Sequence, residues 1–140
     1  MILWGLNCWQ QIMQAFHPKL ICYAFNSIYM PMDKPFVDLI CSYPPLPVGR
    51  PAERFAALLQ AKLGVTVPGA VPINSSEELD SCIEAMLRIP HAWSLVSAGG
   101  NAVIMFSVMA SECGKVSLDF GHAPDNVMGP DYPDYWLNTD

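Results

Sequence analysis

Residues 91–122 read HAWSLVSAGGNAVIMFSVMASECGKVSLDFGH, and this stretch decides the predicted fold. Apolar runs alternate here with two segments that contain glycine. Gly99-Gly100 suits a two-residue turn with positive φ at both central positions. The segment 111–115 suits a three-residue hairpin loop with Gly114 in the left-handed conformation. The stretch therefore predicts a meander of three consecutive antiparallel strands.

The two predicted turns set a register that gives the sheet two unequal faces. The expected core face collects Trp93, Leu95, Ile104, Phe106, Val108, Val116, Leu118 and Phe120. The second sheet face carries Val96, Val103, Met105 and Met109 beside polar residues, which is unusual for a solvated face. We expect this face to be covered by the N-terminal segment, a second copy of the chain, another protein or a ligand. A half-exposed patch of modest size is the plain alternative.

Two helices are predicted before the meander. The segment 51–63 has an apolar stripe at helical spacing, and Gly64 suits the position after its last turn. A second helix begins at Asn74-Ser75, where Ser75 and Glu78 fit a capping box, and it stops at Pro90. Both helices present one apolar face that a sheet can bury.

A strand is predicted at residues 35–43 from alternating side chains, followed by an extended proline-rich connection at residues 44–47. The predicted order is β-α-α-β-β-β after an N-terminal helical appendage. We expect an α+β fold, a two-layer sandwich. Its antiparallel sheet has about four strands, ends in the C-terminal three-stranded meander and carries two helices on one face.

The chain divides into three predicted segments. Residues 1–31 form an apolar appendage, a helix followed by a short strand at 20–25, or else an upstream extension before a start at Met30 or Met32. Residues 32–122 form the α+β core domain, and residues 123–140 form an acidic aromatic tail. Polar residues interrupt the N-terminal apolar run before the roughly 18–20 residues that span a membrane. Nothing there suggests a secretory signal.

Composition excludes several classes of partner. The net charge of −6 and only seven basic residues argue against nucleic acid and anionic membrane surfaces. The five cysteines are widely spaced, odd in number and lack a CxxC pair, which predicts reduced thiols in a cytoplasmic protein. The hydrophobic fraction of 52% is enough for a core without disulfides.

No motif predicts a catalytic residue, a metal ligand or a cofactor. His122 with Asp125, Asp131 and Asp134 has no recognised metal-ligand spacing. The segment 97–101, SAGGN, contains glycines, but it is predicted to turn a hairpin and not to open a helix. It is therefore a weak candidate for a phosphate-binding loop.

Two functions compete. The first is a non-enzymatic interaction protein that binds a second copy of itself or another, possibly basic, protein. Its expected interface comprises Val96, Val103, Met105, Met109, Tyr132, Tyr135 and Trp136. The second is a small-molecule binder or small hydrolase, with a pocket between sheet and helices bordered by Tyr43, His91, Trp93 and His122. For the tail, the alternative is that Trp136 and Leu137 pack on the chain's own core.

Overall fold

The sheet is parallel. The computed structural model describes residues 10–11, 13–15, 24–130 and 136–137. The three strands of the sheet are β1 (Leu46–Gly49), β2 (Trp93–Ser97) and β3 (Val116–Asp119). They lie in the order β1-β2-β3, and both neighbouring pairs are parallel. On the other side of β1, a parallel bridge joins Val48 to Val71. Mixed helix and strand content is as predicted, but the antiparallel sheet is wrong.

Within the described range 24–130, five α-helices accompany the sheet. They are α1 (Lys34–Ser42), α2 (Ala52–Leu63), α3 (Leu79–Arg88), α4 (Asn101–Cys113) and α5 (Ala123–Val127). Two 3-10 segments, Ala24–Met32 and Ser76–Glu78, precede α1 and α3. The first of them packs against α1 and α5.

The connections that leave β1 and β2 run in opposite directions across the sheet. From β1 the chain passes through α2 to Val71 on one side of β1, and then through α3 to β2 on the other side. It continues through α4 to β3, which lies at the edge of the sheet. Since parallel crossovers are right-handed, connections that run in opposite directions place their helices on opposite faces. The carboxyl ends of β1 and β2 therefore flank a point where the chain departs to both faces.

Two apolar clusters confirm that helices cover both faces. One cluster joins α1, α2 and α5 to the side of the sheet that bears Leu95. The other joins α3 and α4 to the side that bears Leu46, Val48 and Val96. The alternation of Leu95 and Val96 between clusters follows from the two-residue period of a strand. The predicted two-layer sandwich, with helices on one face of the sheet only, is therefore also wrong.

The predicted middle strand of the meander is the helix α4. Its buried residues Ala102, Met105 and Met109 recur at helical spacing. Gly114 ends the helix with φ of +62°, and its N–H donates to the Ala110 carbonyl, as in the αL C-cap motif. Gly114 thus has the predicted left-handed conformation, but it terminates a helix and does not close a hairpin.

The predicted strand at 35–43 is the helix α1. Its buried residues Phe36, Val37 and Ile40 form one helical stripe, and Pro35 occupies the first turn, where its missing N–H costs little. The following proline-rich segment contains β1, all four residues of which are buried. Pro47 accepts a hydrogen bond from the Val71 N–H through its carbonyl, so the ladder survives its missing donor.

The two helices predicted before the meander are confirmed as α2 and α3. Gly64 caps α2 with φ of +67°. At the start of α3, the Glu78 carboxylate accepts a hydrogen bond from the Asn74 N–H at 2.8 Å, and Ser75 makes no side-chain cap. The capping interaction therefore comes from the acidic partner of the predicted box.

The predicted segments at the chain ends are only partly described. Residues 10–11 and 13–15 are helical, while the predicted strand at 20–25 lies mostly outside the described residues. In the tail, Trp136 and Leu137 are buried in the cluster with α1, α2 and α5. These two residues therefore follow the alternative prediction for the tail, in which they pack on the chain's own core.

Candidate functional site

A cavity of about 490 Å³ opens at the carboxyl ends of the strands. Its volume lies within the range of about 300–1,000 Å³ that small-molecule sites occupy. The segments that follow β1, Val71, β2 and β3 each contribute lining residues: Arg50, Pro51, Ile73, Asn74, Ser75, Ser76, Ser97, Ala98, Gly99, Asn101, Gly121, His122 and Asp125. We call this the switch-point cavity, because ligands of open parallel sheets bind where the strand order reverses.

Gly49 allows the close approach of β1 and β2 that forms the floor of the cavity. This residue has φ of +131°, and a Cβ added to it would lie 2.8 Å from the carbonyl carbon of Ser97 and closer still to its oxygen. A glycine therefore lets the two strand ends approach each other. The next residue, Arg50, is exposed and lines the cavity. Within the described part of the chain, Arg50 forms no ion pair.

The loop after β2 brings a helix N-terminus to the cavity. Gly99 and Gly100 precede α4, and a Cβ added to either would meet nothing within 4 Å. The first turn of α4 contains no acidic residue, and no side chain caps it. The partial positive charge of this helix end is therefore left for solvent or a ligand. The predicted hairpin at Gly99-Gly100 is wrong because the segment opens a helix.

The segment after β3 contributes an imidazole and a carboxylate. Nδ1 of His122 lies 3.8 Å from Oδ2 of Asp125, one turn along α5. Asp119, at the end of β3, accepts a hydrogen bond from the Gly121 N–H at 2.9 Å and so shapes the turn that leads to His122. The cavity thus combines a guanidinium, an imidazole, a carboxylate and several hydroxyl groups.

The predicted interface residues do not share one surface. Val96, Met105 and Met109 are buried, with the two methionines fully buried under α3 and against the sheet, whereas Val103 is 68% exposed. Trp136 is buried, and Tyr132 and Tyr135 lie outside the described residues. The first four residues were grouped because they were expected to share an uncovered strand face. Three of them belong to the helix α4, so that face does not exist.

The predicted pocket border is also divided. His122 lines the switch-point cavity, whereas Tyr43, His91 and Trp93 lie near the amino end of β2. There the Trp93 Nε1–H donates to the Tyr43 carbonyl at 2.7 Å. Burial lowers the pKa of His91, against the opposing effect of its 2.7 Å contact with the Ile89 carbonyl. His91 is therefore a half-buried imidazole away from the cavity.

The described residues contain neither a metal-binding cluster nor a membrane-spanning helix. No group of three or more His, Cys, Asp or Glu side chains in the described ranges is arranged to hold a metal ion. Among those same residues, no helix combines the length and the apolar character needed to cross a bilayer.

Comparison with known proteins identifies the class. The chain is a small domain of a glycosyltransferase-like fold. It belongs to the family described as the GT-D fold-like domain, whose model matches residues 8–127. No curated protein and no solved structure matches the chain. Sequence reasoning missed Gly49-Arg50 after a short buried strand. It considered the segment with Gly99-Gly100 but rated it a weak phosphate-loop candidate, because it expected a hairpin and not a helix there.

Proposed function

We propose that the switch-point cavity binds the nucleoside diphosphate part of a nucleotide sugar. The single observation that carries the proposal is the position of the cavity at the carboxyl ends of parallel strands, where the strand order reverses. The glycosyltransferase-like fold supports this choice of ligand, because sugar transfer needs a donor whose anomeric carbon carries a good leaving group, such as a nucleoside diphosphate.

The charges around the cavity suit a diphosphate. Arg50 supplies a planar guanidinium that can donate two parallel hydrogen bonds to phosphate oxygens. The start of α4 adds the positive end of a helix dipole, and Gly99 and Gly100 leave room for a close approach. The chain as a whole carries a net charge of −6, so Arg50 provides a local exception to an anionic surface.

Calorimetric titration of UDP, GDP and ADP tests the proposal. One of these nucleotides should bind, and Arg50→Ala should weaken its binding about 10-fold or more, since a hydrogen bond to a charged group contributes about 1.5–3 kcal/mol. Arg54→Ala is the matched control, because Arg54 is exposed on α2 and does not line the cavity. It should change the affinity less than about two-fold. Lack of binding by all three nucleotides, or equal losses in both variants, would refute the proposal.

Self-association is a second candidate, supported by exposed apolar side chains. Val103 and Ile104 on α4 and Val116 on β3 are 68%, 49% and 59% exposed. β3 is also an edge strand, which can pair with a second copy of the chain. Light scattering should then show a dimer that Val103→Asp disrupts and that Leu39→Asp, on the opposite face, preserves. A monomeric wild-type chain at high concentration would exclude this candidate.

A further inference from the structure

His122 and Asp125 form a pair that a molecule in the switch-point cavity can reach. Both residues line the cavity together with Arg50. Nδ1 of His122 and Oδ2 of Asp125 are 3.8 Å apart, and the two side chains are 88% and 56% exposed. The imidazole is therefore accessible from the same space in which a diphosphate would meet Arg50.

Packing does not account for this pair. The helix α5 is held to the core by its buried residues Ala123, Pro124 and Val127, which alternate with the exposed pair. Exposed ion pairs contribute little to stability, because solvent screens them and both side chains lose freedom. An exposed imidazole at a cavity is, in contrast, available for proton transfer, for which histidine is the side chain used most often.

We propose that His122 is the general base of a sugar-transfer reaction in the switch-point cavity and that Asp125 orients its imidazole. This rests on the proposed function, because it requires a nucleotide sugar whose diphosphate lies at Arg50. The 3.8 Å between Nδ1 and the Asp125 carboxylate is longer than a hydrogen bond, but both side chains are exposed, and a small rotation brings Nδ1–H to donate to Asp125 and fixes that tautomer. The lone pair of Nε2 is then available to accept a proton from the incoming hydroxyl.

The step balances with an acceptor hydroxyl or water as the second substrate. The acceptor oxygen bonds to the anomeric carbon of the donor sugar while its proton passes to Nε2 of His122. The bond from the anomeric carbon to the diphosphate oxygen breaks, and the nucleoside diphosphate leaves with the electron pair. Arg50 and the start of α4 stabilise the charge that develops on the leaving diphosphate. The imidazolium returns its proton to solvent after product release.

The test uses water as the acceptor and UDP-glucose, UDP-galactose, UDP-N-acetylglucosamine and GDP-mannose as donors. Release of UDP or GDP is measured for the full chain and for four variants. His122→Gln should slow release about 100-fold or more, within the usual contribution of a general base. Asp125→Asn should slow it less, and Asp80→Asn, on the exposed start of α3, should leave it unchanged. Added imidazole should restore part of the rate to His122→Ala, which a structural role would not allow.

Nucleotide affinity separates this inference from the function on which it rests. UDP or GDP should bind His122→Gln within about two-fold of the wild-type affinity, since the base acts on the acceptor and not on the diphosphate. Binding without release from any donor by the wild-type chain would overturn the role of His122 and leave the nucleotide site intact. Release by His122→Gln at the wild-type rate would do the same. Failure of UDP, GDP and ADP to bind at all would overturn both proposals.

Discussion

Replacing Gly49 by alanine tests the close approach of β1 and β2 beneath the cavity. The glycine has φ of +131°, a conformation that L-residues rarely adopt. A methyl group there would lie 2.8 Å from the carbonyl carbon of Ser97. Because the obstacle is backbone in a paired strand and not the end of a flexible side chain, the strands must separate or the register must distort.

The expected loss of stability in Gly49→Ala has two parts. Backbone strain at such a position costs about 1–3 kcal/mol, and overpacking adds about 1–3 kcal/mol. We therefore expect Gly49→Ala to lower the free energy of unfolding by about 2–6 kcal/mol, which is a large part of the stability of a typical domain. Gly64→Ala is the matched control. Its φ is +67°, but nothing lies within 4 Å of the added methyl, so strain alone applies, about 1–2 kcal/mol.

Urea denaturation followed by tryptophan fluorescence measures both variants, with the free energies obtained by linear extrapolation. Gly49→Ala should be clearly the less stable of the two. Its affinity for the nucleotide that the wild-type chain binds should also fall, because the methyl group displaces the strand end that positions Arg50. If Gly49→Ala costs no more than Gly64→Ala, the strand contact described here is not present in solution, and the argument for the cavity floor fails.

Three further predictions concern the sheet and its cover. Met105→Ala should cost about 2–5 kcal/mol, because it empties a fully buried site, whereas Val103→Ala should change stability by less than about 0.5 kcal/mol. Equal effects in chemical denaturation would contradict the helix α4. Ser94→Ala should cost about 1–2 kcal/mol by breaking the 2.7 Å bond between the Ser94 and Ser117 hydroxyls, and adding Ser117→Ala should cost less than its single effect. Additive losses would show that the bond is not formed. Burial raises the pKa of Cys82 from 9.0 to about 11, so stability should fall as the pH rises through that interval, where the unfolded thiol ionises first. Rapid native-state alkylation of Cys82, read by mass spectrometry, would refute its burial.

Helices with a narrow apolar stripe could be predicted from the sequence, whereas α4 could not. In α2, the buried Phe55 and Leu59 recur at helical spacing beside exposed polar residues such as Arg54 and Gln60, and Gly64 marks the end. In α4, exposed Val103 and Ile104 adjoin buried Met105, so apolar residues occupy both faces and the helical period is hidden. β-Branched residues in this run then favour a strand by local propensity. Burial of Met105 and Met109 against the sheet overrides that propensity.

The strand β1 was missed for a different reason. Proline is rare inside sheets because it cannot donate to the ladder, so residues 44–47 indicate a linker. In the folded chain, Pro47 still accepts from the Val71 N–H, and the Gly49 N–H donates to the Val71 carbonyl at 3.0 Å. A parallel ladder tolerates one missing donor when its neighbours remain paired. This compensation involves residues more than twenty positions apart and has no local signature.

Assigning α4 as a strand also concealed the site. If residues 93–119 were a meander, Gly99-Gly100 would close a hairpin and start no helix, and a middle strand would hold the segments after β2 and β3 about 10 Å apart. With α4 as a crossover helix, β2 and β3 are direct neighbours, and Gly99 and His122 line one cavity with Arg50. The residue types of the cavity were all visible in the sequence. Their proximity follows from parallel topology, which makes the helical state of α4 the condition on which the proposed nucleotide site depends.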